Sequence, residues 1–134
     1  MAEEFKNLLW LAQRKDTFAE FYELNGKFIN KRRRQLWSSA GYVSMIFYGL
    51  YGMNFESDHL RFAPVKPASL FAETITLENM NYRDMTLAIQ VTGHGTQIQS
   101  FKLDDILQAE PVIPANFKGG HKIEIILKDG TVAK

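Results

Sequence analysis

Gln35-Leu-Trp-Ser-Ser-Ala-Gly-Tyr-Val-Ser-Met-Ile-Phe-Tyr-Gly-Leu-Tyr-Gly-Met-Asn-Phe55 is the stretch whose reading decides the fold. From Ala40 to Tyr51 its only polar side chains are hydroxyls, and apolar residues fall on every face at helical spacing, the mark of a helix buried all round. Leaving Val43, Met45, Ile46, Phe47 and Leu50 wet would forfeit about 1.5 to 3 kcal/mol each. Summed, that rivals the roughly 5 to 15 kcal/mol stability of a whole domain. Ser38 and Ser39 are the N-cap candidates, and Gly49 and Gly52 mark the end. The run is too short, and too rich in Gly, Ser and Tyr, for a membrane span. It reads as an interior helix of a layered protein.

The totals bound what surrounds it. A chain of 134 residues allows one ordinary domain or two small units, not a large enzyme scaffold. Sixteen basic and fifteen acidic residues leave the net charge at +1, so charge alone argues for no nucleic-acid or anionic-membrane partner. The absence of cysteine rules out disulfides and thiolate zinc sites. The opening Met-Ala-Glu-Glu-Phe-Lys-Asn7 lacks the basic start and apolar core of a signal peptide, and localisation stays open.

Upstream, Phe5, Leu8, Leu9 and Ala12 share one helical face, with Glu3 and Glu4 before them and Arg14 and Lys15 after. That charge order suits the macrodipole of a helix over residues 3–14. Residues 18–22 read as an extended segment, and Asn25-Gly26 as a turn. The basic run Lys31 to Arg34 reads as a solvated loop before the helix, with anion or carboxylate pairing near a site as the functional alternative.

Downstream, Glu56 to His59 reads as a turn into Leu60-Arg-Phe62, and Pro64 and Pro67 as the punctuation of a linker. From Leu70 onward period-two alternation takes over. Phe71 to Leu77, Met85 to Val91, Gln97 to Leu103 and Lys122 to Leu127 are the predicted strands. Asn79-Met-Asn81, Gly93-His-Gly95 and Lys118-Gly-Gly120 are the predicted turns. Leu87-Ala-Ile89-Gln-Val91 and Ile123-Glu-Ile125-Ile-Leu127 each keep one face aliphatic, as an antiparallel sheet with one buried face requires. The expected fold is α+β: helices over 1–56, packed with an antiparallel β-sandwich over 57–134.

Chemistry is sparse. His59, His94 and His121 lie in separate turns without metal-ligand spacing, and Gly93-His-Gly95 lacks the strand-to-helix context of a phosphate loop. Trp10 and Trp37 read as core residues at helical spacing, with stacking on a sugar ring as the functional alternative. On composition Glu20 and Glu23 read as surface carboxylates; the functional alternative is that Glu20, between Phe18 and Phe21, meets an apolar wall that raises its carboxyl pKa and poises it for proton transfer.

Taken in order, Phe18-Ala-Glu20-Phe-Tyr22, Asn25-Gly26, Gln35-Leu-Trp37-Ser38-Ser-Ala40-Gly-Tyr and a helix ending in Gly-Leu-Tyr-Gly52 resemble the end of the catalytic domain of six-hairpin (α/α) barrel glycosidases. The likeness is to bacterial members of glycoside hydrolase family 63 and to the trehalase and glycogen-debranching groups. Leu60-Arg-Phe62-Ala-Pro64-Val and the strands after it are similar to the β-sandwich tail that follows the barrel there. The resemblance implies that residues 1–56 are the last barrel hairpin, that Glu20 is the general base toward the hydrolytic water, and that Tyr22, Gln35 and Trp37 shape the sugar pocket. It implies an oligosaccharide or glycoside as substrate and no metal or other cofactor. The general acid of such an inverting pair stands roughly 6.5 to 9.5 Å from the base and belongs to an earlier hairpin. The chain is therefore expected to be inactive alone, and to self-associate so as to bury residues 39–51. A basic loop between Glu20 and Trp37 departs from the family pattern. The reading from another class is a non-catalytic carbohydrate-binding or protein-interaction module.

Overall fold

A computed structural model describes residues 6–10, 13, 23, 36–68 and 71–128. The chain is mixed α+β, with β-sheet the larger part. It divides into two compact units, Met1–Phe47 and Tyr48–Lys134.

In the first unit residues 6–10 are helical (α1), as is residue 13, within the helix expected over 3–14. Helix α2, Leu36–Ser44, continues into a wider π-helical turn, Met45–Leu50. Ser38 and Ser39 lie inside α2 rather than capping it. The expectation of a rod buried on every face is corrected here: no residue of α2 is buried, and Leu36 and Trp37 are 83% and 69% exposed. Burial starts only at Leu50, Tyr51 and Met53. Apolar residues on every face of a helix state what it can bury, not what it does bury.

The second unit holds every buried apolar residue among those described, from Leu50 to Leu127. Strands β1 (Met53–Phe55), β2 (His59–Phe62) and β7 (Val112–Pro114) form an antiparallel sheet in the order β1-β2-β7. Strands β3 (Thr74–Tyr82), β4 (Met85–Thr92), β5 (Ile98–Leu103), β6 (Ile106–Leu107) and β8 (Gly119–Leu127) form a second sheet in the order β3-β4-β8-β5-β6. The alternation works as expected in β4 and β8, where Leu87, Ile89, Val91, Ile123, Ile125 and Leu127 are all buried. Met53, Leu60, Phe62 and Ile113 provide the buried side chains of the smaller sheet, and the Phe62 and Phe101 rings, one from each sheet, lie 5.6 Å apart. Tyr51 belongs to the same core, and burial pushes its phenol up to about 12.

The larger sheet is not purely antiparallel as expected, because β4 and β8 run parallel from Met85↔Gly119 to Thr92↔Ile126. Parallel neighbours need a long crossover, and residues 93–118 provide it while building β5, β6 and β7. Two expected turns are also relocated. Asn79-Met-Asn81 falls inside β3, where the register shifts between Leu77 and Met80 with Asn79 at φ 57°, and the chain reverses at Arg83-Asp84 instead. Gly119 and Gly120 open β8 rather than preceding it. Asp104 and Asp105, both at positive φ, form the two-residue turn from β5 to β6. The expected linker around Pro64 and Pro67 is built into the unit: Pro64 and Lys66 are buried, and Lys66 bridges to Gly95.

Candidate functional site

Of the residues the resemblance selects, Glu20, Tyr22 and Gln35 lie outside the described residues, as does the basic run Lys31 to Arg34. Trp37 is on the first turn of α2 with its indole largely in solvent. An indole so placed is available to stack against a ring or a partner surface.

The three histidines are anchored by side-chain partners, and only His94 keeps the expected turn position, because His59 opens β2 and His121 lies within β8. His94 Nε2 is 3.2 Å from the Phe71 carbonyl, and its Nδ1 is 3.3 Å from Glu73. His59 Nδ1 is 2.7 Å from the Asp58 carboxylate, and its Nε2 is 3.4 Å from Glu56. The Asp58 carboxyl is held below its ordinary value, chiefly by that hydrogen bond from His59. Donor atoms of Glu56, Asp58 and His59 lie within 4.8 Å of one another, a grouping that sequence spacing did not single out although Glu-Ser-Asp-His59 places all three in one turn. Arg61 already brings a cation to Glu56 at 3.7 Å and to Glu110 at 3.6 Å, so part of the negative charge of this exposed cluster is compensated. Arg83 donates to the Ser57 carbonyl at 2.9 Å and holds the same turn from β3–β4.

His121 and Asp104 make the second anchored pair. The Asp104 Oδ2 atom is 2.7 Å from His121 Nδ1, while its Oδ1 accepts the Lys122 amide at 2.8 Å. Burial works against the charged carboxylate. The hydrogen bonds from His121 and the Lys122 amide outweigh it and hold the Asp104 carboxyl below its ordinary value. A depressed folded-state pKa contributes stability above the unfolded value, near 3.9, and that stability is lost as pH falls through the folded value. Asp104→Asn, which tolerates the positive φ, is therefore expected to cost about 0.5 to 1.5 kcal/mol at neutral pH. The deficit should shrink in urea unfolding at about pH 3; a gap of equal size at both pH values would show that the ionised carboxylate is not what matters.

Beside this pair, a groove of about 410 Å³ opens on the solvent face of the larger sheet. It runs from Glu78 and Asn79, at the irregularity in β3, over Thr86 and Ala88 of β4, to Gly120 and Lys122 of β8 and the Asp104 turn. Sequence reading missed it because its floor and walls come from segments up to about forty residues apart.

Compared with known proteins, the chain matches no protein-family model and no curated protein. Among the described residues no helix is long and apolar enough to cross a membrane.

Proposed function

We propose that this chain is the C-terminal part of a six-hairpin glycoside hydrolase, the last barrel hairpin followed by its β-sandwich tail. The observation that carries the reading is order: Phe18-Ala-Glu20-Phe-Tyr22, then Gln35-Leu-Trp37-Ser38 running into α2, then a two-sheet β unit entered at Gly52. The exposure of Leu36, Trp37 and Val43 supports it, since a barrel helix has neighbours on all sides that further hairpins would provide. Without them, copies of the chain associate through residues 39–51.

In the assembled enzyme the Glu20 carboxylate takes a proton from the water that attacks the anomeric carbon. A carboxylic acid on an earlier hairpin gives its proton to the departing glycosidic oxygen. Tyr22, Gln35 and Trp37 hold the sugar against that pair. The substrate is a neutral oligosaccharide or glycoside. A base without its acid cannot stabilise the transition state selectively, so the chain alone turns over nothing.

The test is to extend the coding region upstream through any in-frame helical hairpins and assay the longer protein on neutral glycosides. Glu20→Gln in that protein is expected to lower kcat by about 100- to 10,000-fold with KM nearly unchanged. Undiminished turnover removes Glu20 from the mechanism, and the absence of glycosidase activity in the longer protein removes the reading.

The second reading, a non-catalytic binding or interaction module, is favoured by one observation: the β unit carries a core of its own, from Leu50 to Leu127.

A further inference from the structure

We propose that the groove on the outer face of the larger sheet is a binding site for a neutral oligosaccharide, separate from any barrel site and independent of the role given to Glu20. Its floor is where β4 and β8 meet, with small residues at three of four positions. Thr86 and Ala88 project from β4, and on the parallel neighbour β8 their partners are Gly120 and Lys122.

Gly120 is the residue the fold does not account for. Glycine inside a strand costs about 0.5 to 1 kcal/mol relative to alanine, and it is usually retained for a positive φ, a bulge or a crowded backbone. None of these holds at Gly120. It is absent from the positive-φ residues, its pairing with β4 is in continuous register, and a Cβ built there meets no atom within 4 Å. What a side chain at this position would fill is the groove itself. Close approach of a ligand is the remaining reason for a strand glycine.

The walls fix the ligand's chemistry. Glu78 and Asn79 are exposed and make no side-chain hydrogen bond or ion pair among the described residues, so a carboxylate and an amide are available to the groove. Across the floor, the Lys122 ammonium is held by Glu124 at 2.6 Å and by Asp105 at 3.5 Å, and Asp104 is held by His121. Glu78 and Asp104 against one already compensated lysine make the groove unfavourable for phosphate, sulfate or carboxylate ligands. A polyhydroxyl ligand suits it. Each hydroxyl donates to a carboxylate while accepting from the Asn79 amide or Lys122, and the C–H face of the ring lies on the Thr86 methyl, Ala88 and Gly120. The volume falls within the roughly 300 to 1,000 Å³ of small-molecule sites.

The experiment is an amide-resolved NMR titration of the full chain with maltohexaose and, separately, cellohexaose, preceded by a screen on an array of neutral oligosaccharides. Expected are shifts confined to Asn79, Thr86, Ala88, Gly120 and Lys122. Gly120→Val is expected to fold with an unchanged or higher Tm, because the side chain enters open space in a strand, and to weaken binding at least about tenfold. If that variant does not fold, Glu78→Ala, on an exposed wall, is expected to weaken binding about tenfold with Tm unchanged. Absence of any saccharide response at these amides up to about 10 mM ligand, or undiminished binding in the variant that folds, overturns the proposal. The readout involves no turnover, so it is unaffected by the outcome at Glu20.

Discussion

Gly52→Ala is expected to lower the stability of the chain by more than about 3 kcal/mol, a loss comparable to a third or more of a typical domain's total. Gly52 is buried at φ +61°, a conformation that costs an L-residue about 1 to 2 kcal/mol before any contact is counted. The contacts are worse than the torsion. A Cβ at this position would lie 2.0 Å from the Ala63 carbonyl carbon, 2.1 Å from its oxygen and 2.3 Å from the Pro64 nitrogen. These are backbone atoms, so no rotamer change relieves the clash. The Gly52 carbonyl also accepts the Ala63 amide at 2.8 Å and the Asn54 side-chain amide at 3.1 Å, so moving the backbone would break both bonds. Neighbouring Met53 and Phe62, paired across β1 and β2 and almost fully buried, would be pulled out of the core. A urea midpoint that drops sharply while exposed substitutions such as Thr76→Ala leave it unmoved is the result expected. A midpoint within about 0.5 kcal/mol of the wild type would mean that the Gly52–Ala63 approach is not tight in solution.

Gly52 was legible in the sequence only as a stop signal for the preceding helix. Its close approach to Ala63 depends on the pairing of β1 with β2, which no local pattern announces. The alternation in Leu87 to Val91 and Ile123 to Leu127 was informative because period two reports which face is wet, whatever the neighbouring strand does. The same pattern says nothing about strand direction, so the parallel pairing of β4 with β8 could not be read from it. Asn79 looked like a turn residue and is one in torsion, yet longer pairing on either side absorbs it as an irregularity inside β3. Leu103-Asp-Asp-Ile106 did carry a readable hairpin signal, two turn-forming residues between apolar ones, that the wider strand pattern overshadowed. Helix α2 inverts the problem: apolar residues on every face read as a buried rod, yet none of its residues is buried. Site chemistry divides in the same way. Glu20, Tyr22 and Gln35 come from a motif read along the chain, whereas the groove at Gly120 exists only after β3, β4 and β8 have been brought side by side.

Lys66→Ala is the other change expected to have a large effect, about 3 to 5 kcal/mol. The flanking Pro64 and Pro67 made this stretch look like a solvated connection, and a lysine there would ordinarily be worth nothing. Instead Lys66 is fully buried. Its ammonium donates to the Glu73 carbonyl at 2.6 Å and to the Gly93 carbonyl at 2.5 Å, while its own backbone exchanges two hydrogen bonds with Gly95. One side chain thus ties the segment after β2 to the residue before β3 and to the turn after β4. Taking an ammonium out of water is costly, and it is tolerated only where strong acceptors surround it. Alanine removes the donor and three methylenes together, leaving carbonyl oxygens short of a partner beside a cavity. Lys66→Met separates the two terms, since it keeps most of the stem volume and removes only the charge and its hydrogen bonds. If the carbonyl bonds dominate, Lys66→Met loses more than half of what Lys66→Ala loses in urea unfolding of the full chain; if packing dominates, it stays close to the wild type. An alanine variant as stable as the wild type would contradict both terms, because a buried ammonium with these partners would then have been contributing nothing.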